Sequence, residues 1–216
     1  MKYKLVIFDF DGTIADTSEG IIDAHRYTLS YMGRNVPTNE VLKNIIGGQL
    51  LKTYMNSFDF SEKEARKAIK VYRERYAKVG IHKATLYPSF EQMISTLRKK
   101  GYKLGVATLK AERFAKEMLK EMGIQQYFDG ICGMDEGDEL NKAGLIKKCC
   151  SLCNVKECET ILVGDSNNDI KGAKEAGIAF LGVTYGFGLK REIKYEFDID
   201  AATGKILEWE SESIYD

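Results

Sequence analysis

The stretch "VIFDFDGTIADT", Val6 to Thr17, decides how this chain is read. An apolar run ends in Asp9 and Asp11, two carboxylates separated by one Phe, and Gly12 and Thr13 follow at once. In extended chain, residues i and i+2 share a side, so both anions leave a strand that reads as buried in the same direction. At 4 Å and an effective dielectric of about 20, two such charges repel by roughly 4 kcal/mol. An acidic turn capping a strand would explain the pair on its own. A site that supplies compensating positive charge would explain it better, provided that partners exist elsewhere in the chain.

Further short apolar runs read as buried strands: "YKLGVAT" (102–108), "GICG" (130–133), "TILVGD" (160–165) and "AFLGVTY" (179–185). Helical patterns lie between them. Pro88 suits a first helical turn, and "SFEQMISTLRKKG" ends in two lysines and Gly101. "AERFAKEMLKEMG" closes on Gly123 and "NDIKGAKEAG" on Gly177. Strand–helix alternation predicts a parallel sheet with right-handed crossovers and helices on both faces. The fold class expected is α/β, with a Rossmann-like core.

Between about Thr17 and Leu86 the alternation stops and only helical patterns follow. These are "SEGIIDAHRYTLSYMG", "TNEVLKNIIGG", "QLLKTYMNSF" and "SEKEARKAIKVYRERYAKVG". The last opens on Ser61 and Glu64, at capping-box spacing, and stops at Gly80. The expected organisation is a core of residues 1–15 and 87–216 with an inserted helical cap of residues 16–86. The loop "IGGQL" (46–50), with Gly48, is the candidate for reaching over a site, although its glycines also suit a simple helix stop and start.

The 216 residues contain 44% hydrophobic and 30% charged side chains, the balance of a globular protein. Lys plus Arg equals Asp plus Glu at 32 each, so no overall positive field draws nucleic acid or anionic lipid. No secretory leader or membrane span is evident in the sequence, and the expected location is cytoplasmic. Five cysteines agree with a reducing compartment. Four of them, Cys149, Cys150, Cys153 and Cys158, raise the question of zinc. Cys149, Cys150 and Cys153 recur with Leu145 and Ile146 at helical spacing, which points instead to small core-facing side chains.

Reactive groups of an α/β sheet gather at the carboxyl ends of its strands. Those ends carry Asp9 and Asp11, then Thr108, then Asp165 with Asp169 four residues on, while Lys142 stands just before a helix that precedes the last of these strands. Carboxylates with no neighbouring His or Cys suit Mg²⁺, which would also let an anionic nucleophile approach an anionic phosphate.

Taken together, "DFDGTIADT", the Thr108 strand end, Lys142 and "GDSNND" resemble the haloacid dehalogenase-like hydrolases, most of which are phosphatases. The four motifs occur in order, and the helical insertion after the first matches that family's small helical cap. The resemblance implies that Asp9 is a nucleophile forming an aspartyl-phosphate and that Asp11 is the general acid and base. It implies phosphate binding by Thr108, Lys142, Gly12, Thr13 and Lys110. It further implies Mg²⁺ held by Asp9, Asp165 and the Asp11 backbone carbonyl, with Asp169 in support.

Where many relatives have Lys-Pro, this chain has "NKAGLIKKC". That sequence, Lys110 and "GVTYGFG" (182–188) resemble the branch of phosphoglycolate phosphatases and bacterial 5′-nucleotidases. The expected partner is therefore a small phosphate monoester, with no nucleic acid polymer and no membrane. Two alternatives share the chemistry: a phosphosugar mutase, and a signalling phosphoacceptor such as a receiver domain. His25 reads as a packing or surface residue, Tyr72, Tyr76 and Tyr87 as cap-to-core packing, and "KREIKYEF" (190–197) as a solvated amphipathic segment.

Overall fold

A computed structural model of the chain describes residues 2–135 and 139–189, together with the backbone of 198–199 and 206–207. The elements run β1 (Leu5–Phe8), β2 (Ala15–Asp16), α1 (Ser18–Tyr31), α2 (Asn39–Lys43), α3 (Leu50–Phe58), α4 (Glu62–Lys78) and β3 (Thr85–Leu86). They continue as α5 (Phe90–Lys99), β4 (Lys103–Ala111), α6 (Glu112–Glu121), β5 (Gly130–Met134), α7 (Lys142–Cys153), β6 (Thr160–Gly164), α8 (Asn167–Ala176) and β7 (Ala179–Gly182). The segment "KREIKYEF" lies outside the described residues.

β1 is the middle of a five-stranded sheet ordered β5-β4-β1-β6-β7, and all four pairings are parallel. Phe8 stands opposite Val106 on one side and Val163 on the other. Its neighbours on both edges and helices on both faces explain why all four residues of β1 are buried. Val6 and Phe8 join a cluster with Phe90, Ile94 and Met118. Leu5 and Ile7 face the other way, onto Leu145, Ile146 and Cys149 of α7. Burying each such large side chain stabilises the fold by about 1.5–3 kcal/mol.

The thiols behave as the helical spacing predicts. Cys149, Cys150 and Cys153 are buried in the second cluster, Cys132 of β5 joins them, and Cys158 is exposed.

α1 to α4 lie between β2 and β3, which pair antiparallel, Ala15 with Leu86 and Asp16 with Thr85. This ribbon of two-residue strands ties the two chain crossings of the helical insertion together. Within the insertion, Arg75 of α4 grips Asp23 of α1 through Nε at 2.8 Å and Nη2 at 3.2 Å. α4 carries the expected capping box between Ser61 and Glu64. His25 is not a surface residue: it is buried, with Nδ1 3.1 Å from Tyr54 Oη and its ring 4.7 Å from that of Tyr72.

Tyr72 and Tyr76 stack on each other, and Tyr76 packs edge-on against Phe114 of α6, so this aromatic series does bridge the insertion and the sheet's helices. Tyr87 pairs instead with Tyr185, at 4.5 Å between ring centroids.

Three local expectations need correction. The helix expected over 38–48 is only Asn39–Lys43, and the chain then turns through Gly47 at φ +80. Pro88 stands outside α5, whose N-cap, Ser89, is left-handed and whose first residue is Phe90. α4 ends at Lys78, and Gly80 begins a 3₁₀ turn of its own. Among the described residues, no helix is long and apolar enough to cross a membrane.

Candidate active site

The end of β1 delivers the first carboxylate. The Asp9 N–H donates to Val163 O at 2.9 Å, continuing the parallel ladder one residue past the strand. The Asp9 side chain is buried, and its Oδ1 accepts a hydrogen bond from Lys142 Nζ at 2.7 Å. Lys142 is the first residue of α7, set there by Asn141, whose side chain caps the helix by accepting from Gly144 N at 2.8 Å. The same ammonium lies 2.6 Å from Asp169 Oδ1.

Asp169 closes a capping box at the start of α8: its Oδ2 accepts from Ser166 N at 3.0 Å and Ser166 Oγ at 2.6 Å. Asp165, just past β6, accepts from Thr13 Oγ1 at 3.3 Å through Oδ1. Its Oδ2 accepts from the backbone N–H groups of Phe187 at 2.6 Å and Gly188 at 3.3 Å.

Oxygens of Asp9, Asp165 and Asp169 all lie within 4.8 Å of one another, and the three residues are buried. Burial, only partly offset by Lys142, pushes the Asp9 carboxyl up to about 7, with Asp169, Asp165 and Asp11 adding repulsion. Burial likewise raises Asp165 to about 6, against the pull of the Phe187 N–H. Burial works against the charge of Lys142, but Asp169 and Asp9 more than restore it and hold its pKa above the usual lysine value. Three carboxylates against one ammonium leave excess negative charge in a dry place. All the donors are oxygens, with no His or Cys among them. That is the donor set of a hard divalent cation, and these residues fit one.

Asp11 is held separately. Its Oδ1 accepts from Thr17 Oγ1 at 2.6 Å and lies 3.0 Å from Lys110 Nζ. Thr108 is buried beside it, and its Oγ1 accepts from the Lys110 N–H at 3.2 Å. β4 does not end at Thr108: it runs on to Ala111 through a register shift after Ala107, which carries Lys110 inward.

Asp9, Asp11, Thr108 and Lys110 line one side of a cleft, opposite Ile21, His25, Tyr72 and Tyr76 of the helical insertion. The loop containing Gly48 lines its rim, and Gly47 O accepts from Asn168 Nδ2 of α8 at 3.1 Å. Desolvation holds His25 down at about 3, so a neutral imidazole borders the cleft.

Two sequence expectations change here. The Gly12 N–H does not face the cleft; it donates to Ala15 O at 3.0 Å within the turn. Glycine is required by the tight turn itself, where φ is +80, and because a Cβ would stand 2.3 Å from Asp165 Oδ2. Thr13 is fully buried and turns its hydroxyl to Asp165, not to the cleft. Sequence reasoning missed Thr17, Ser166, Tyr76 and the Phe187–Gly188 amides. Only Ser166 carried a readable signal, its capping-box spacing to Asp169.

A doubly covered parallel sheet whose central strand ends gather three buried carboxylates and a lysine is the architecture of a class of hydrolases. The chain belongs to the haloacid dehalogenase-like hydrolases, whose family profile it matches over residues 6–183. It is 30% identical over 195 residues to a 5′-nucleotidase of Pseudomonas aeruginosa, covering 90% of this chain and 88% of that protein. It is 31% identical to a phosphoglycolate phosphatase of Vibrio parahaemolyticus, over 85% of each chain. A tyrosine-protein kinase, PtkA of Mycobacterium tuberculosis, is 32% identical over 86% of this chain, which spans 63% of that longer protein. Among solved structures, a predicted phosphatase from Clostridium acetobutylicum superposes with a TM-score of 0.85 at 33% identity, covering 89% of each chain. The protein is a phosphoric monoester hydrolase.

Proposed function

We propose that this phosphatase is Mg²⁺-dependent and hydrolyses a small phosphorylated metabolite, of the phosphoglycolate or nucleoside 5′-monophosphate type, through an aspartyl-phosphate on Asp9. One observation carries the reading: Asp9 lies in the acidic cluster on Lys142, while Asp11, two residues on, has its own partners in Thr17 and Lys110. The two carboxylates are thereby equipped for different tasks.

Asp9 attacks the phosphorus, and the leaving-group oxygen departs with a proton from Asp11. Asp11 then takes a proton from the water that cleaves the acyl phosphate. Thr108 and Lys142 hold phosphoryl oxygens, and Lys142 offsets the charge they gather. Mg²⁺ would be held by Asp9, Asp165 and the Asp11 carbonyl, with Asp169 in support, and would neutralise the cluster so that Asp9 is anionic at neutral pH. Residues 16–86 act as the cap that sets specificity, with the loop at Gly48 over the site.

A receiver domain is disfavoured by strand order. Counting only sheet strands in sequence, the order is 3-2-1-4-5, whereas flavodoxin-like receivers run 2-1-3-4-5. The deciding experiment is phosphate release across a panel of metabolite monophosphates with Mg²⁺ and with chelator. A sugar 1-phosphate in the panel should give free phosphate. An isomeric sugar phosphate would favour the mutase, and no release from any member would end the reading.

A further inference from the structure

Lys110 is a buried lysine for which the mechanism above has no task, and its surroundings give it one. Its ammonium is 2.8 Å from Tyr76 Oη, to which it donates, and 3.0 Å from Asp11 Oδ1. It also lies 4.4 Å from the Tyr76 ring centroid and 5.6 Å from that of Phe10. An ammonium taken out of water into an aromatic setting is stable only with partners, and these are the partners that it has.

Among the described residues, Thr17 and Lys110 hold the Asp11 carboxylate, and both do so at Oδ1. That leaves Oδ2 for the cleft that Asp11 lines. Tyr76 belongs to α4, so the anchor on Lys110 comes from the helical insertion, and it is itself fixed against Phe114 and Met118 of α6.

We propose that Lys110, anchored by Tyr76, is a positioning residue that turns Asp11 so that Oδ2 faces the leaving-group oxygen. The inference rests on the reading of Asp11 as the proton donor. The donor then points correctly only when α4 is seated against β4, and Lys110 acts through Asp11, not on the phosphoryl group.

A leaving group that departs readily as an anion needs no proton donor, and an alkoxide does. The test is therefore kcat/KM of the full-length Mg²⁺-loaded protein on 4-nitrophenyl phosphate and on an alkyl phosphate. kcat/KM reports the steps up to the first transfer. In Lys110→Met, the alkyl phosphate should lose about 10² in kcat/KM, the scale of a general-acid contribution, while the aryl phosphate loses under about tenfold. Tyr76→Phe, which keeps the ring and its packing, should show the same selectivity at smaller size, and Lys110→Arg should restore part of the alkyl activity. Equal losses on both substrates would make Lys110 a phosphate-binding residue, and unchanged kinetics would leave it no role; either overturns the proposal. The underlying reading of Asp11 fails separately, if Asp11→Asn loses no more on the alkyl phosphate than on the aryl phosphate.

Discussion

Gly172 of α8 is packed against the stem of Lys142: a Cβ on Gly172 would stand 2.4 Å from Lys142 Cγ and 2.8 Å from its Cβ. α7 and α8 therefore approach closely just where the ammonium must reach Asp9 and Asp169. In an open helix interior, Gly→Ala stabilises by about 1 kcal/mol. At this position overpacking of about 1–3 kcal/mol opposes it. Gly172→Ala should be destabilised and should release phosphate more slowly, read from urea midpoints and steady-state rates. A more stable variant with full activity would mean that the contact relaxes freely.

Asp9→Asn removes the proposed nucleophile while nearly preserving shape. Phosphate release from an aryl phosphate should fall to background, and no acid-labile phosphate should be trapped on the protein by rapid quenching. Activity close to wild type would remove Asp9 from the role given to it.

Asp11→Asn should behave differently. Its metal contact is assigned to the backbone carbonyl, so Mg²⁺ affinity, followed by calorimetry, should hold while turnover drops by about 10²–10⁴. A variant that loses Mg²⁺ affinity along with turnover would show that the side chain is a ligand.

Stability should depend on pH and Mg²⁺ together. Asp9 and Asp165 are raised from 3.8 to about 7 and about 6, so the folded chain keeps their protons to higher pH than the unfolded chain does. Their contribution is thus fully present below about pH 4 and is lost as pH rises towards 7. Mg²⁺ should reverse that loss, so its effect on the melting temperature should be larger at pH 8 than at pH 5. Equal shifts at both values, or a larger one at pH 5, would contradict the cluster as the cation site.

The sheet and the acidic cluster were legible because they obey period and position. Buried strands are uninterrupted apolar runs, and Asp9, Asp11, Thr108 and Asp165 follow those runs at or just beyond their ends. What stayed hidden depends on contacts between distant segments. β2 and β3 have two residues each, too few for any period, and exist only because they pair. Gly172 read as an ordinary helix glycine because Lys142 lies on another helix. Lys110 was expected on the phosphate, but the register shift in β4 turns it to Asp11 and Tyr76. His25 had no partner in its own helix; Tyr54 arrives from α3. Gly12 was expected on the phosphate, but its N–H stays within the turn that its positive φ permits, and its crowding by Asp165 comes from a distant segment.

The sheet order has a consequence for synthesis on the ribosome. β1, the strand that leads into Asp9, is made before the rest of the sheet, and its two neighbours begin only at Lys103 and Thr160. At about 5–20 residues per second, that apolar segment emerges many seconds before either flank can cover it. The amides of Phe187 and Gly188 that cradle Asp165 come later still. The nascent chain thus passes a long interval with this apolar strand unshielded, and the acidic cluster is complete only once those later amides have been made.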